Sequence, residues 1–458
     1  MSDGLHEIDI INPATEEVVA TVPTTSPAEV DAAVRRAAAA QQKWAALAPG
    51  DRARILRRFA DVVDANIKQL AELELQEAGH PLGNATWEAG NVRDLLHYAA
   101  GGVERLTGSQ IPVAGGLNIT LQEPLGVVAV IAPWNFPMPI AAWGTAPALA
   151  AGNAVLLKPA ETTPLTALRL ARYALDAGLP EGLFQVLPGE GPVTGTALVD
   201  HPGVAKVVFT GSTTTGRQIA ARCAEQTKRL TLELGGKSPN IVFADADIEA
   251  AAAATPGSFL DNTGQDCCAR SRILVQRSVY DRYMELLEPA VKAFVVGDPA
   301  DPATQMGPLI SAAQRDRVRS YVPEDAPAAI RGEAPAGKGF WYPATVLEGR
   351  PEDRTAIEEI FGPVAVVLPF DDEADAVRLA NATDYGLSGS LWTRDVGRAI
   401  RVSRAVAAGN LSVNSHASVR YWTPFGGFKQ SGLGRELGPD ALIPFTETKN
   451  VFISTEEQ

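Results

Sequence analysis

The run Val127-Val-Ala-Val-Ile131 contains five apolar residues and no polar one. A continuous apolar run bounded by turn residues is typical of a strand buried on both faces of a parallel sheet. Strand-like and helix-like segments then alternate along the chain. The strands are Ala154–Leu157, Phe184–Leu187 and Lys206–Phe209, and the helices are Pro164–Leu175, Gly191–Asp200 and a segment from Thr215 onward. This alternation predicts a doubly wound α/β domain.

The flanking segments extend the prediction in both directions. Residues 27–80 and Trp87–Leu106 carry apolar residues at helical spacing, with charges between them. From Ile241 to about Phe370 the alternation resumes, with strands at Ile273–Val275 and Pro363–Leu368. These segments predict a second α/β domain.

Composition and charge exclude several classes of protein. A chain of 458 residues is long enough for two or three packed units. It has 40 Lys and Arg residues against 54 Asp and Glu residues, a formal net charge of −14. This excess of acid argues against a nucleic-acid partner, which would require basic residues against its phosphates. The uncharged stretch Pro137–Leu157 has prolines and glycines that suit a buried helix and turn better than a membrane span, so we expect no membrane association.

Cysteine usage and the first residues bear on cellular location. Three cysteines make no disulfide framework, which fits a reducing compartment. The stretch Met1–Glu7 has early acidic residues and no apolar segment of the kind that a signal peptide needs. We therefore predict a cytoplasmic location.

Two of the cysteines are adjacent in Asn262-Thr-Gly-Gln-Asp-Cys-Cys-Ala-Arg270, a turn-like stretch. A thiol exposed on a turn is a candidate nucleophile, because the thiolate attacks electrophilic carbon readily. The alternative is a small buried apolar side chain, which describes most cysteines. The stretch by itself leaves both interpretations open.

Two further stretches have the composition of a nucleotide site. Phe209-Thr-Gly-Ser-Thr-Thr-Thr-Gly216 joins a predicted strand to a predicted helix that opens near Gly216, and its glycines and hydroxyls suit a phosphate at a helix N-terminus. The spacing is not G-x-G-x-x-G, so a plain turn is the alternative. Lys158 and Glu161 follow another predicted strand, at the sheet edge where nucleotides bind. They can hydrogen-bond to ribose hydroxyls, or alternatively form a solvated loop pair.

Two polar residues at predicted strand ends have the chemistry of a catalytic site. Glu233, in Leu232-Glu-Leu-Gly-Gly-Lys-Ser-Pro239, lies among apolar residues, where desolvation makes a carboxylate a general base near neutral pH. Alternatively it is paired with a Lys or Arg. Asn135, in Ala132-Pro-Trp-Asn-Phe-Pro137, can offer an amide N–H to an oxyanion. The alternative is an ordinary aromatic–proline turn.

Taken together, these stretches resemble the aldehyde dehydrogenase superfamily nearly from end to end. The matching segments are Pro133-Trp-Asn-Phe-Pro137, Lys158-Pro-Ala-Glu161, Phe209-Thr-Gly-Ser212 with Gly216, Glu233-Leu-Gly-Gly236, Gly264-Gln-Asp-Cys267, Glu359-Ile-Phe-Gly-Pro363 and Pro424-Phe-Gly-Gly427. The resemblance implies NAD-dependent oxidation of an aldehyde to a carboxylic acid. It implies that Cys267 is the nucleophile and that Asn135 and the Cys267 N–H stabilise the oxyanion. It also implies that Glu233 is the base that activates the hydrolytic water.

The resemblance also implies the cofactor contacts. Lys158 and Glu161 would hold the adenosine ribose, Trp134 and Ser212 would lie near the phosphates, Glu359 would hold the nicotinamide ribose, and Phe361 would lie against the ring. The remaining expected contacts are Thr210, Gly211, Gly216 and Leu234. Because Glu161 would repel a 2′-phosphate, we favour NAD over NADP. We expect no metal-binding residues.

A division into three parts follows from the same resemblance. We assign residues 1–106 and 125–234 to an NAD-binding domain, 235–430 to a catalytic domain, and 107–124 with 440–458 to a small β arm that builds a homodimer or homotetramer. The predicted fold class is therefore α/β, with two doubly wound domains and a β oligomerisation arm. The last strand-like stretch, Phe445–Ser454, must pair either within its own subunit or across an interface.

The predicted substrate mouth is more acidic than in many relatives, because Asp261 and Asp266 flank the cysteine turn. Gly-Gln-Asp-Cys and Asn414-Ser-His416 are similar to stretches of γ-aminobutyraldehyde dehydrogenases. Carboxylates there would attract a cationic tail, although they can also point away and cap a helix. The expected pocket residues are Phe136, Trp143, Asp261, Asp266 and Cys268, with Tyr421 and Trp422 as further aromatic faces for an ammonium group.

An ω-aminoaldehyde such as 4-aminobutyraldehyde is the predicted substrate, and succinic semialdehyde or a general aliphatic aldehyde is the alternative. A CoA-acylating enzyme would pass the thioester to a thiol, but such enzymes commonly lack a base at the position of Glu233. A non-catalytic relative or a plain nucleotide-binding module would leave the combination of Cys267, Glu233 and Asn135 unexplained.

Overall fold

The computed structural model describes residues 6–417 and 419–456. The first five residues of the predicted segment 1–106 and the last two of the predicted segment 440–458 therefore lie outside the described residues. Within the described part, no helix has both the length and the apolar character that crossing a membrane requires.

The strands are short and mostly apolar. In chain order they are β1 (Glu7–Ile11), β2 (Val18–Pro23), β3 (Gln110–Ile111), β4 (Gly116–Pro124), β5 (Val127–Ile131), β6 (Ala154–Lys158), β7 (Phe184–Val186), β8 (Lys206–Thr210), β9 (Arg229–Glu233), β10 (Pro239–Val242), β11 (Arg272–Gln276), β12 (Ile330–Arg331), β13 (Thr345–Glu348), β14 (Val364–Phe370), β15 (Tyr385–Gly386), β16 (Ser388–Trp392), β17 (Asn410–Val413), β18 (Phe428–Lys429), β19 (Gly432–Leu433) and β20 (Thr446–Ser454).

Helices connect most of the parallel strands. They are α1 (Pro27–Ala45), α2 (Pro49–Asp64), α3 (Ile67–Ala78), α4 (Leu82–Gly102), α5 (Pro137–Ala150), α6 (Leu165–Asp176), α7 (Thr196–Asp200), α8 (Thr213–Glu225), α9 (Ile248–Leu260), α10 (Tyr280–Lys292), α11 (Ala312–Tyr321), α12 (Arg354–Ile357), α13 (Glu373–Ala380) and α14 (Val396–Ala405).

Two large sheets form the body of the molecule. The first has the order β19-β9-β8-β5-β6-β7, in which only β19 is antiparallel to its neighbour. The second has the order β12-β13-β14-β11-β10-β16-β17, in which only β12 is antiparallel. Every residue of β5, β6 and β8 is buried, as the apolar runs predict for strands covered on both faces. The predicted α/β class is confirmed, whereas the domain limits stay a prediction.

A third, antiparallel sheet has the order β20-β4-β3. Strand β20 pairs with β4 along its whole length, from Thr446 opposite Pro124 to Ser454 opposite Gly116. Of the two possibilities for the terminal strand, the structure therefore has pairing within the same chain.

Some predicted boundaries differ from the observed ones. The helix expected from Thr215 begins at Thr213, because the Ser212 hydroxyl accepts the Thr215 N–H at 3.3 Å and caps it. The helix expected at Gly191–Asp200 is a wider π-type turn over its first five residues, followed by the short α7. The uncharged stretch from Pro137 is helix α5, and every one of its residues is buried.

Candidate active site

Four neighbouring parallel strands of the first sheet end at the residues that sequence analysis selected. Strand β6 ends at Lys158, β8 at Thr210 and β9 at Glu233, and the segment after β5 holds Trp134 and Asn135. Thr210 and Glu233 are direct partners in the parallel register. Ligands of open α/β sheets bind beyond the carboxyl ends of the strands, so this edge is the expected position of a site.

A cavity of about 260 Å³ opens at this edge. Residues at the carboxyl edge of the first sheet line it, together with residues of helix α11 and of loops that connect strands of the second sheet. They are Pro133, Trp134, Asn135, Thr210, Gly211, Ser212, Glu233, Leu234, Gly235, Cys267, Gln314, Arg317, Glu359 and Phe361. The cavity therefore brings together Cys267, Glu233 and Asn135 with most of the expected cofactor contacts.

The turn that carries Cys267 has an unusual backbone. Asn262, Thr263 and Gly264 all have positive φ, of 48°, 57° and 67°. Left-handed geometry costs a non-glycine residue on the order of 1 kcal/mol, so the surrounding contacts must hold it. The Asn262 amide donates to the Asn135 carbonyl at 2.5 Å, and the Thr263 hydroxyl donates to the Gly307 carbonyl at 2.9 Å. These bonds fix the cysteine turn against the segment that carries Asn135.

The Asn135 side chain is oriented by one hydrogen bond, in which its Nδ2 donates to the Gln265 carbonyl at 2.9 Å. An amide NH₂ carries two donors, so one N–H remains for an oxyanion. Among the described residues, the backbone N–H of Cys267 has no hydrogen-bond acceptor. Two donors are therefore available close to the thiol.

Glu233 is buried, and neither of its carboxylate oxygens has a hydrogen-bond partner among the described residues. The alternative of a hydrogen-bonded pair with Lys or Arg therefore does not describe this residue. Burial, followed by the like charge of Glu436, raises the pKa of Glu233 well above its ordinary value. A buried carboxyl of raised pKa and with open lone pairs is suited to exchange protons with a water molecule.

The Cys267 thiol is half-buried, and its neighbour Cys268 is fully buried. Hydrogen bonding with Cys268, followed by loss of hydration and the negative charges of Asp266 and Glu233, raises the pKa of Cys267. The thiol is thus protonated near neutral pH, and a base must remove its proton before it can attack a carbonyl group.

The opposite wall of the cavity is formed by Glu359, Phe361 and Trp134. The Glu359 carboxylate accepts the Gly236 N–H at 2.7 Å, and burial raises its pKa to about 6. Phe361 has a positive φ of 62°, and its ring meets that of Trp134 edge to face at 5.3 Å. A Cβ on Gly235 would lie 2.5 Å from the Glu359 carboxylate, so this approach requires glycine.

Lys158 ends β6 and Glu161 follows it, and both lie outside the lining of this cavity. Lys158 is buried, and its ammonium group donates to the carbonyls of Pro159 and Gly189 at 2.7 and 2.8 Å. Glu161 accepts the Gly191 N–H at 2.5 Å and lies 3.4 Å from the lysine nitrogen. A buried, backbone-anchored lysine does not match the alternative of a solvated loop pair.

Most of the aromatic rings expected near the substrate lie in or against the large apolar core of the first α/β unit, and none of the expected rings is among the residues that line the cavity as the structure describes it. Trp143, on α5, meets Phe425 at a ring distance of 5.1 Å, and Phe136, Tyr421 and Cys267 pack against the same apolar cluster. Tyr421 contacts Trp422 at 4.6 Å, and Trp422 is 50% exposed. The rings therefore extend from the apolar core to the surface.

The two acidic residues expected at the substrate mouth are held by local donors. Asp266 accepts the Cys268 N–H at 2.9 Å, and Asp261 accepts the Asn84 amide at 2.9 Å and the Asn262 N–H at 3.1 Å. Loss of hydration and the nearby Asp266 carboxylate raise the pKa of Asp261 to about 6. These contacts match the alternative in which the carboxylates stabilise local structure.

Sequence reasoning did not select three residues that the structure places at the site. Gln314 and Arg317 reach the cavity from α11, where the Gln314 amide holds the Phe361 carbonyl at 2.6 Å and Arg317 holds the Glu359 carbonyl at 2.8 Å. Glu436, whose charge acts on Glu233, lies far away in sequence. The first two belong to an otherwise polar surface helix, so no pattern signalled them.

Comparisons with known proteins agree with this geometry. Residues 1–451 match the aldehyde dehydrogenase family. Betaine aldehyde dehydrogenase 1 of Rhizobium meliloti (strain 1021) is 43% identical over 457 residues, covering 97% of this chain and 93% of the relative. The crystal structure of PnpE in complex with nicotinamide adenine dinucleotide is 39% identical with a TM-score of 0.96, covering 99% and 95%. The NAD+ complex of a Bacillus cereus aldehyde dehydrogenase is 38% identical with the same TM-score, covering 98% and 94%.

Proposed function

Because the chain belongs to the aldehyde dehydrogenase family, we propose that it oxidises an aldehyde with a cationic tail to the carboxylic acid, with NAD as the oxidant. The proposal is supported above all by one cavity that holds a thiol, an unpartnered buried carboxyl and an orientated amide. These are the nucleophile, the general base and the oxyanion donor that acyl transfer through a thioester requires.

The Cys267 thiol loses its proton to solvent, the resulting thiolate forms a bond to the aldehyde carbon, and the electron pair of the carbonyl π bond moves to the oxygen, which becomes an oxyanion. The remaining N–H of Asn135 and the Cys267 N–H stabilise that charge, which is strongest in the tetrahedral state. When bound, NAD would accept a hydride from the tetrahedral carbon. Loss of that hydride would leave a thioester on Cys267. Glu233 then takes a proton from water, which attacks the thioester and releases the acid, so that the thiol is regenerated.

The residues present fit a dinucleotide. Ser212 caps the N-terminus of α8, where free backbone N–H groups and the helix dipole favour phosphate. A Cβ on Gly216 would lie 2.5 Å from the Leu234 side chain, so the close helix–strand contact requires glycine. Trp134, Ser212, Glu359 and Phe361 would hold the phosphate and nicotinamide parts, and Lys158 with Glu161 would hold the adenosine ribose.

Replacing Glu161 by Gln is expected to relax the preference for NAD over NADP. A 2′-phosphate next to the Glu161 carboxylate is repelled by about 1 kcal/mol or more, so removing the charge should raise kcat/KM for NADP relative to NAD about tenfold. The exposed Glu190→Gln variant is the matched control and should keep the original ratio. An unchanged ratio in Glu161→Gln would show that this carboxylate does not select the cofactor.

The cationic tail is proposed from the aromatic rings rather than from the two aspartates, whose carboxylates have local donors. Tyr421 and the exposed Trp422 provide π faces, and a quaternary or primary ammonium group binds such faces with about 0.5–2 kcal/mol. The 43% identity to a betaine aldehyde dehydrogenase supports the same class of substrate.

Betaine aldehyde is expected to be oxidised with a kcat/KM about tenfold above that of 3,3-dimethylbutanal, which has the same shape without the charge. The kcat/KM for 4-aminobutyraldehyde should likewise be higher than that for butyraldehyde. Trp422→Leu and Tyr421→Leu should reduce the ratio, whereas Trp341→Leu, on another part of the surface, should keep it. Equal values for the charged and neutral aldehydes would refute the cationic tail and favour a general aliphatic aldehyde.

A homo-oligomer is proposed from the β20-β4-β3 sheet. Its strands expose Leu117, Leu121 and Ile453 on one face and Phe452 on the other, each 40% or more accessible, and exposed apolar side chains that share a face often mark an interface. Burial between two copies of the chain would cover them.

A further inference from the structure

A cluster of buried ionisable side chains lies in the hairpin of α3 and α4, outside the cavity described above. Glu74 is on α3, His80 is in the connecting turn and Glu88 is on α4. Their relative exposures are 0%, 3% and 1%. Buried carboxylates without a partner are strongly unfavourable, so the cluster requires a compensating group.

The three side chains converge on one point. His80 Nδ1 lies 2.8 Å from Glu88 Oε1 and 3.7 Å from Glu74 Oε1, and one ligand atom from each residue lies within 4.8 Å of the others. Ligands that bind a cation at about 2.0–2.2 Å are about 3–4 Å apart, so a small rearrangement that replaces the His80–Glu88 hydrogen bond would allow all three side chains to bind one ion.

Several oxygens of the cluster lack donors. Among the described residues, both oxygens of Glu74 and Oε2 of Glu88 have no hydrogen-bond partner. No lysine or arginine is among the largest electrostatic influences on either residue in the described chain. The neighbouring Glu77 differs, because its carboxylate accepts the N–H groups of Leu165 and Thr166 and the Thr166 hydroxyl at 2.6–2.9 Å. Glu77 is therefore satisfied without an ion.

We propose that Glu74, His80 and Glu88 bind a divalent first-row transition-metal ion. Two carboxylates and one imidazole are ligands that Mn²⁺ and Zn²⁺ both accept. The charge of the ion balances the charges of the two carboxylates, and its bonds to them satisfy the carboxylate oxygens that lack hydrogen-bond donors. Because the ligands are buried and come from one helical hairpin, the ion stabilises structure rather than entering the reaction.

The cluster is also joined to the segment that carries Asn135. The His80 ring packs at 5.7 Å from the ring of Phe136, the residue that follows Asn135 in the chain. The ion would therefore help to hold the Asn135 segment in place.

The competing occupant is a proton shared by Glu74 and Glu88. Burial raises the pKa of Glu88 to about 8 and raises that of Glu74 as well. If Glu74 and Glu88 share a proton, metal ions should not change the thermal stability of the protein. Glu88→Gln should then preserve or increase that stability.

The test uses the full chain, stripped with EDTA and then titrated with MnCl₂. Manganese is the first probe because a second group, Asp266 with Cys267 and Cys268, offers thiolates that prefer softer ions such as Zn²⁺. We expect one bound Mn²⁺ per chain by electron paramagnetic resonance, and a Tm higher by about 5 °C. Glu74→Gln, His80→Gln and Glu88→Gln should lose both responses, whereas Glu72→Gln, an exposed residue of α3, should keep them.

The proposal is refuted if the native chain binds neither Mn²⁺ nor Zn²⁺. It is also refuted if the Glu74 and Glu88 variants bind the ion as tightly as the native chain does. Crystals of the native chain soaked in Mn²⁺ give an answer that does not depend on the folding of any variant. An anomalous peak between the three side chains supports the site, and a peak at the cysteines or no peak refutes it. None of these measurements uses catalytic activity, so they are independent of the proposed function.

Discussion

Cys267→Ser is expected to lower aldehyde-dependent NADH formation by about 10⁴-fold or more. A serine hydroxyl has a much higher pKa than a thiol, so far less of the nucleophilic anion is available to attack the aldehyde near neutral pH. NAD binding should be retained, because the cofactor contacts lie on other segments. The measurement is the initial rate of NADH formation with saturating aldehyde, together with NAD titration by intrinsic fluorescence.

The matched control is Cys223→Ser, which makes the same substitution at a buried cysteine of α8. It can lower stability, because a hydroxyl enters an apolar site, but its kcat should stay close to that of the native chain. Undiminished NADH formation by Cys267→Ser would refute the thioester mechanism and leave the chain as an unrelated type of oxidoreductase.

Glu233→Gln is expected to separate the two halves of the reaction. Attack by Cys267 and formation of the thioester do not require the Glu233 carboxylate, whereas hydrolysis requires a base. Mixing enzyme, NAD and aldehyde should therefore give a burst of about one NADH per chain, followed by a steady rate about 10²–10⁴-fold below that of the native chain. Stopped-flow absorbance measures the burst.

Intact-mass spectrometry of Glu233→Gln should show the acyl group on the protein, and this signal should disappear when Cys267 is also replaced. Loss of the burst itself would mean that Glu233 acts before the thioester forms, as the base for the thiol. Native enzyme that forms an acyl-CoA in the presence of CoA, with little free acid, would instead favour the CoA-acylating alternative.

Much of the fold follows from local patterns. The apolar runs at 127–131, 154–157 and 206–209 became strands buried on both faces, because only a doubly covered parallel sheet removes every side chain of such a run from water. Asn135, Lys158 and Glu233 lie at or just after the ends of strands of this sheet, as predicted, whereas the places of Cys267 and Glu359 in the site were expected only from the family resemblance. Helix starts were less predictable, because a side-chain cap such as Ser212 moves the first turn by a few residues.

The direction of the two aspartate side chains at the cysteine turn could not be predicted from the sequence. Asp261 and Asp266 could equally have faced a substrate or capped local structure, and periodicity carries no information on side-chain direction within a turn. The observed bonds to Asn84, Asn262 and Cys268 depend on a backbone with three successive left-handed residues. Tertiary contacts with the Asn135 segment and with Gly307 contribute to holding that backbone in place.

The amino-acid sequence by itself determined the α/β class, the resemblance to aldehyde dehydrogenases and the identity of the thiol, carboxylate and amide, because these depend on local apolar runs and short motifs. Tertiary structure alone decided the pairing of β20 with β4, the contributions of Gln314, Arg317 and Glu436, and the convergence of Glu74, His80 and Glu88. These depend on which segments pack together, and packing is set by the whole core and by the charges it excludes from water.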